Sequence, residues 1–498
     1  MARSIVQEDV VDSIAAALQF ISHTHPPDFV RALRRAHDAE THAPARAAMA
    51  QMLVNSRLAA AGRRPLCQDT GVVQVFVRLG MGVSFVRRDG RALASLQTLA
   101  NDATRLAYLD PDNPLRATMV ADPLGARTNT RDNTPATVQV ELVEGDDLAL
   151  LVVAKGGGGD VKARFTTLTP GERVADWVLD QLPGMGAGWC PPGVLGVGIG
   201  GTPEQAMLLA KMSLFDPIDI DLLRARGADS PEETLRLDLH DRINALGIGA
   251  QGLGGLATVL DVKVRTAPCH AATLPVALIP NCAATRYVNF RLDGRGPAVF
   301  EPPDPSLWDG IGDRFDAGPG RRVDLDRLRG EDVATWRLGE VLLLSGRVLT
   351  ARDAAHRRLV ELLDRGDDLP VSLRGRVVYY VGPVSAVNDE AVGPAGPTTA
   401  NRMDRFLEPL MARAGLLATI GKAERGHAAA EAIGRSGGAY LVATGGAAYL
   451  LARSIRSARV LAFEELGMEA IHEFELVDFP VTVAIDSRGR CIHRIGTA

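Results

Sequence analysis

The sequence predicts an α/β protein of two unequal domains, and three observations predict it. Strand-like and helical patterns alternate along most of the chain. Between Arg291 and Gly320, 11 of 30 residues are glycine or proline, the clearest break in the sequence. The 498 residues are 46% apolar and 23% charged, an ordinary globular balance and enough for two large cores. The boundaries drawn from this are 1–290 for a larger N-terminal domain, 291–325 for a Pro/Gly-rich linker and 326–498 for a smaller C-terminal α/β domain.

The elements follow in order. MARSIVQEDVVDSIAAALQFI sets Glu8, Asp9 and Asp12 among apolar residues, so it reads as an amphipathic helix and not as a secretion signal. Up to about residue 105 the chain reads as helices with one β-like run, GVVQVFVRLG from Gly71. TVQVELVEGDDLALLVVA then reads as two strands joined by a turn at Glu144-Gly145-Asp146. VLGVGIGG precedes the helical TPEQAMLLAKMSL, and the apolar LPVALIP begins at Leu274. Beyond the linker EVLLLSG, RVVYYVG, AYLVATGG and PVTVAID are strand-like, all but the last leading toward a helix. Thr350 with Asp353 resembles a capping box. Thr399 is placed to cap the helix of NRMDRFLEPLMARAG, with Arg402 on its first turn and Gly415 past its end.

Composition excludes several functions. Lys+Arg 55 against Asp+Glu 60 gives a net charge of -5, with no basic surplus to bind nucleic acid. No apolar run approaches the ~18 residues of a membrane span. A cytoplasmic location is expected. Five cysteines, an odd number, argue for free thiols or ligands and against a disulfide framework.

Two segments match G-x-G-x-x-G, at Gly196, Gly198 and Gly201 and at Gly247, Gly249 and Gly252. Neither leads to an acid at the ribose position of a dinucleotide site, so tight turns are the better reading, with an NAD-dependent oxidoreductase the remote alternative. Lys155 and the glycines 156–159 lack the Gly-Lys-Ser/Thr of a phosphate loop, although backbone N–H groups there remain open to a ligand.

Cys67, Cys190 and Cys282 all fall in breaks between apolar segments. Each alone reads as a small buried hydrophobe, and their spacing matches no zinc motif. Their neighbours say more: Gln68 and Asp69 follow Cys67, and His270 precedes Cys282 by twelve residues. CQDTG, NTRDNTPA, AKGGGGD, CPPG with GIGGT, LGIGAQGLGG, H-x11-C ending at Cys282, and GPTTANRMD together resemble the class I, iron–sulfur fumarate hydratases and their relatives such as L-tartrate dehydratase. The resemblance runs from about residue 50 to the end, in the family's order.

It implies a 4Fe-4S cluster held in the N-terminal domain by Cys67, Cys190 and Cys282, with one iron left open as a Lewis acid. Cys269 and Cys491 have no ligand role in it. The active site would lie between the domains and bind a small dicarboxylate through Gln68, Arg116, Gly158, Arg352, Thr399, Arg402 and Lys422. Asp69 is implied as general base, Thr398 as its partner and His270 as a polar group orienting substrate. His23, His25 and His37 read as surface groups. The implied enzyme is a homodimeric hydro-lyase interconverting fumarate and L-malate, a tricarboxylic acid cycle step, whose site borrows residues from both chains. Around His270, PCHAATLPVALIPNCAATR is closer to the split-subunit enzymes, which leaves L-tartrate or mesaconate open as substrate. A cluster-bearing sensor is a third reading, and retention of Asp69, Arg352, Arg402 and Lys422 argues against it.

Overall fold

Apolar residues occupy both faces of the strands Val72–Gly80 and Leu148–Lys155, so these strands need cover on two sides. In the computed structural model, which describes residues 3–316, 318 and 320–493, they receive it. They lie at the centre of a four-stranded sheet ordered Tyr287–Leu292, Leu148–Lys155, Val72–Gly80, Thr137–Val143. Val73, Val75, Leu150 and Val152 face the helices Gln7–His23 and Leu96–Tyr108, where Ile14, Leu18, Leu99 and Ala103 meet them. Phe76, Leu151 and Val153 face the other way, toward a second four-stranded sheet.

That second sheet is ordered Arg164–Leu168, Leu274–Pro280, Gly193–Gly200, Val259–Ala267. Ala277 and Ile279 join Phe76 and Leu151 in the shared core, together with Ala206 and Ala210 of the helix Pro203–Ser213. Its far face is covered by the helices Val174–Met185 and Pro231–Ala245. Gly196 and Gly198 lie inside the strand, where a side chain would strike the carbonyls of Ala210 and Ala206. The first G-x-G-x-x-G is thus spent on bringing a helix close to a strand.

In the C-terminal part, seven strands run in the order Arg321–Asp324, Val341–Thr350, Val377–Tyr379, Ala418–Gly421, Ala439–Val442, Ile471–Ile485, Ile455–Ala462. The first five are mutually parallel. Ile471–Ile485 runs against them and pairs on one side with Ala439–Val442 and on the other with Val341–Thr350, so the sheet closes on itself. Leu344, Tyr379, Ile420, Leu441 and Phe479 fill the interior. The outer face is covered by the helices Asp353–Arg365, Asp404–Ala412 and His427–Ser436.

The α/β class and the two-part organisation hold, and several details differ from expectation. Thr137–Val143 and Leu148–Lys155 do not form a hairpin, because Val72–Gly80 lies between them and pairs with both. Two short parallel strands, Arg3–Val6 and Val83–Val86, add to the single β run expected early in the chain. Residues 291–325 are no free spacer. Phe300 stacks on Phe20 with ring centroids 5.5 Å apart, and buried Trp308 donates from Nε1 to Ser56 Oγ at 3.1 Å. The capping box at Thr350 does not form: Thr350 Oγ1 accepts instead from the His472 N–H at 3.0 Å, and Arg352 is the residue that precedes the helix. The Thr399 side chain makes no cap either, since the chain enters a 3-10 turn, Ala400–Met403, before the α-helix begins. Among the described residues no helix is long and apolar enough to cross a membrane.

Candidate active site

Three loops bring the thiols together. Cys67 follows the helix Ala43–Gly62, and its loop is tied by Asn55, whose Nδ2 donates to Leu66 O at 3.1 Å and to Gly446 O at 3.0 Å. Cys190 takes a left-handed φ of 59°. The Ala283 N–H donates to its carbonyl at 3.1 Å, which joins the Cys190 and Cys282 loops directly. Gln251, within the second glycine-rich motif, donates from Nε2 to Pro191 O at 3.0 Å and accepts from the Gly445 N–H at 2.7 Å. A side chain at Gly445 would collide with Cys190 Sγ, so the glycine is required by the thiol beside it.

All three cysteines are free, Cys67 and Cys190 buried and Cys282 partly so. Burial pushes the Cys190 thiol up to about 11; the Lys422 ammonium opposes this, and the nearby Cys282 and Cys67 add to it. Burial likewise raises Cys67, against the positive charge of Arg286 and Lys422. Lys422 Nζ stands 3.0 Å from Cys190 Sγ. Among the described residues no three His, Cys, Asp or Glu side chains are close enough to grip a single metal ion. Three free thiols on converging loops, two of them buried, within each other's electrostatic reach and faced by a lysine, form a donor set that fits a larger iron–sulfur group.

Beside the thiols, Asp69 is held by backbone on both oxygens. Oδ1 accepts from the Gly71 N–H at 3.1 Å and Oδ2 from the Gly157 N–H at 3.0 Å, so the glycine run is fastened to this carboxylate. Gln68 Nε2 donates to Pro397 O at 3.0 Å, while its Oε1 lies 3.3 Å from Cys67 Sγ. Thr398 is buried, its carbonyl accepting from the Lys422 N–H at 3.1 Å, and Thr399 forms an isolated bridge with Lys422. A carbon added at Gly158 would lie 3.5 Å from Lys422 Nζ, so backbone and ammonium share one space.

The remaining cations converge at Gly382. A carbon added there would lie 2.5 Å from Arg352 Nη1 and 3.3 Å from Arg116 Nη1, and Arg116 donates to the Gly382 carbonyl at 2.7 Å. Burial lowers Arg116 to about 10, and the Arg352 charge lowers it further. Burial also holds Arg352 below the usual arginine range, with Glu469 opposing and Arg402 adding to the effect. Among the described residues one carboxylate, Glu469 at 3.5 Å, serves Arg352, whose buried Nε has no partner there. Arg402 pairs with Asp353 at 2.5 Å. Two adjacent guanidiniums with so little counter-charge are chemically suited to receive an anion.

The model of one protein family, described as fumarate hydratase (fumerase), matches residues 11–291, and that of the fumarase C-terminus matches residues 294–496. The chain belongs to the fumarate hydratase family. It is 32% identical over 457 residues to the aerobic class I fumarate hydratase of Salmonella typhimurium, covering 88% of this chain and 76% of the relative. It is 30% identical to the anaerobic class I enzyme of Escherichia coli, over 91% and 83% of the two chains. The putative L(+)-tartrate dehydratase subunit alpha of Methanocaldococcus jannaschii is 33% identical over 269 residues, covering 52% of this chain and 90% of the relative.

In this fumarate hydratase family member, a single chain gathers Cys67, Gln68, Asp69, Gly158, Cys190, Cys282, Thr398 and Lys422, with Arg116, Arg352 and Arg402 alongside. It does not bring His270 to them. That residue is exposed in the turn before Leu274–Pro280, and Cys282 lies past the opposite end of this strand, roughly 20 Å away at ~3.3 Å per residue. His25 is likewise no surface group. It is 1% exposed, with Nδ1 2.9 Å from Ser56 Oγ and Nε2 3.0 Å from Ala283 O, and so braces the Cys282 loop. Sequence reading missed Arg286, which donates from Nη1 to the Asp69 carbonyl at 2.6 Å. Its signal was a lone cation four residues after Cys282. Gln251 and Gly382 were also missed, since a brace and a close approach leave no mark beyond a glycine-rich context.

Proposed function

We propose that this protein interconverts fumarate and L-malate with a 4Fe-4S cluster held by Cys67, Cys190 and Cys282. The observation that carries this reading is the convergence of three free thiols, the backbone-held Asp69 and the cations Arg116, Arg352 and Lys422. The cluster, when bound, would supply an open iron as Lewis acid for the substrate's hydroxyl and carboxylate. Arg116 and Arg352 would take one substrate carboxylate, with Arg402 releasing Asp353 to help. Lys422, Gln68, Thr399 and the Gly158 backbone would hold the remainder.

Asp69 is the proposed base for the proton on the carbon next to a carboxylate. Its two backbone hydrogen bonds fix its aim, and the arginines stabilise the negative charge that develops on that carboxylate. Thr398 would be its partner. His270 fits the reading as a group serving a second protomer's site in a homodimer, because it is exposed and remote in its own. The 291–325 segment is the proposed joint between the two domains, and a cytoplasmic location goes with the reading.

A second reading keeps the mechanism and changes the acid. The likeness of about half of this chain to a putative L(+)-tartrate dehydratase subunit alpha supports L-tartrate, and mesaconate differs from fumarate by one methyl group. The test is anaerobic reconstitution with iron and sulfide, followed by separate assays in which the absorbance of the unsaturated acid rises with L-malate or falls with fumarate or mesaconate, and oxaloacetate is measured with L-tartrate. Preference for L-malate and fumarate supports the first reading and preference for another acid the second. A loaded cluster with no turnover of any of them would sink both.

A further inference from the structure

Among the described residues four arginines are deeply buried: Arg64, Arg236, Arg286 and Arg425. Three are paired as buried charges should be. Arg64 meets Glu390 at 2.8 Å, Arg236 meets Asp219 and Asp261, and Arg425 meets Asp404 at 3.0 Å. Arg286, 2% exposed, is the exception. Among the described residues no carboxylate lies within salt-bridge distance of it, its Nε has no partner, and its one side-chain hydrogen bond goes to a neutral acceptor, the Asp69 carbonyl. A buried charge left so incompletely matched is costly unless an anion faces it.

Its surroundings say which anion. Arg286 follows Cys282 by four residues, and its own carbonyl accepts from the Ala154 N–H at 3.1 Å, which fixes its backbone to the central sheet. The side chain reaches behind the Cys67-Gln68-Asp69 turn, and its charge is felt by Cys67 and Tyr108. Its Nη2 and Asp69 Oδ2 flank Gly156, lying 3.5 and 3.2 Å from where a side-chain carbon there would be. The negative charge that belongs to this place is that of the thiolate-bound cluster and of Asp69.

We propose that Arg286 is a positioning residue: its guanidinium fixes the main chain of Asp69 and is the standing counter-charge to the cluster that Cys67, Cys190 and Cys282 hold. The proposal rests on the iron–sulfur hydratase reading above. Arg286 touches no reacting atom and acts through Asp69 and Cys67.

The test uses full-length protein reconstituted anaerobically with iron and sulfide, comparing wild type with Arg286→Gln and Arg286→Lys. Iron and sulfide content, the midpoint potential of the cluster, kcat and KM for L-malate are measured on each. Arg286→Gln is expected to load the cluster, to shift its potential downward because a nearby positive charge is gone, and to lose about 10- to 100-fold in kcat with little change in KM. Arg286→Lys keeps the charge but not the fork, so it should hold the wild-type potential with an intermediate kcat. Arg286→Gln with wild-type potential and kcat at equal iron content would overturn the proposal. If the Gln variant does not fold, Lys decides: a lowered potential despite the retained charge, or a wild-type kcat, overturns it. Wild-type protein that takes up no iron or turns over no dicarboxylate would sink the functional reading together with this one, whereas an active wild type with an indifferent Gln variant sinks this one alone.

Discussion

Gly382→Ala is a small change aimed at the anion site alone. Gly382 is not among the residues with positive φ, so the backbone accepts alanine without strain. The new methyl would lie 2.5 Å from Arg352 Nη1 and 3.3 Å from both Arg352 Cδ and Arg116 Nη1. An ordinary contact needs about 3.5–4.0 Å, so the Arg352 guanidinium must retreat by roughly 1 Å. That displacement removes one charge-assisted hydrogen bond to a substrate carboxylate, worth about 1.5–3 kcal/mol, or roughly 10- to 100-fold in kcat/KM. The carboxylate is held in ground state and transition state alike, so the loss should fall on KM more than on kcat. Steady-state kinetics with L-malate, alongside iron content and a melting curve, read this directly. The tip of a flexible side chain can give way, so stability and iron content should stay at wild-type values. A KM within about twofold of wild type in the folded, loaded variant would refute the idea that the two arginines form the carboxylate site.

Other consequences are as specific. Serine at Cys67, Cys190 or Cys282 should abolish iron uptake under anaerobic reconstitution, while serine at Cys269 or Cys491 should leave it intact; retention of iron by any of the first three would remove that residue from the ligand set. Gly445→Ala should also lose iron, because its methyl overlaps Cys190 Sγ, and quantitative iron and sulfide analysis would show it. Burial lowers His25 to about 3 and His356 to about 4. Both stay neutral in the fold while the unfolded chain takes up protons below about 6.5, so their stability contribution is complete above that pH and is lost as pH falls toward 4 and then 3. These two rings should account for a loss of about 3 kcal/mol in urea unfolding between pH 6.5 and 5, to which His23, also lowered to about 4 by burial, adds, and the loss should be diminished in His25→Gln; a flat profile in that interval would contradict the burial of both rings.

What could be read in the sequence was whatever is encoded locally. Cys67, Cys190 and Cys282 stood in breaks between apolar runs because loops that converge on one another need backbone free of a sheet ladder, and Lys422 stood at a strand end for the same reason. The alternation of strands and helices gave the fold class. Contacts between residues far apart in the chain left no such trace. Arg286 becomes informative only when its missing carboxylate is seen beside three arginines that have one. His25 read as a surface group, and only the fold shows Ser56 and the Ala283 carbonyl enclosing it. The Thr350 capping box failed because His472, 122 residues away, claims the threonine hydroxyl first. The Glu144-Gly145-Asp146 turn was correctly placed, yet the hairpin was not, since local turn chemistry cannot report that a third strand takes the place between two others.

The closing strand Ile471–Ile485 also dictates the order in which this protein can be made. As the chain leaves the ribosome, Val341–Thr350 and Ala439–Val442 emerge first, each with a ladder of backbone groups whose partner has not yet been synthesised. Neither edge can be satisfied until residue 485 is clear of the exit tunnel, so the C-terminal sheet must complete itself after translation of nearly all of its length. During that interval the exposed edges are open to pairing with another nascent chain, and stalled or truncated translation products ending before Ile471 are expected to be aggregation-prone and to be removed by quality control.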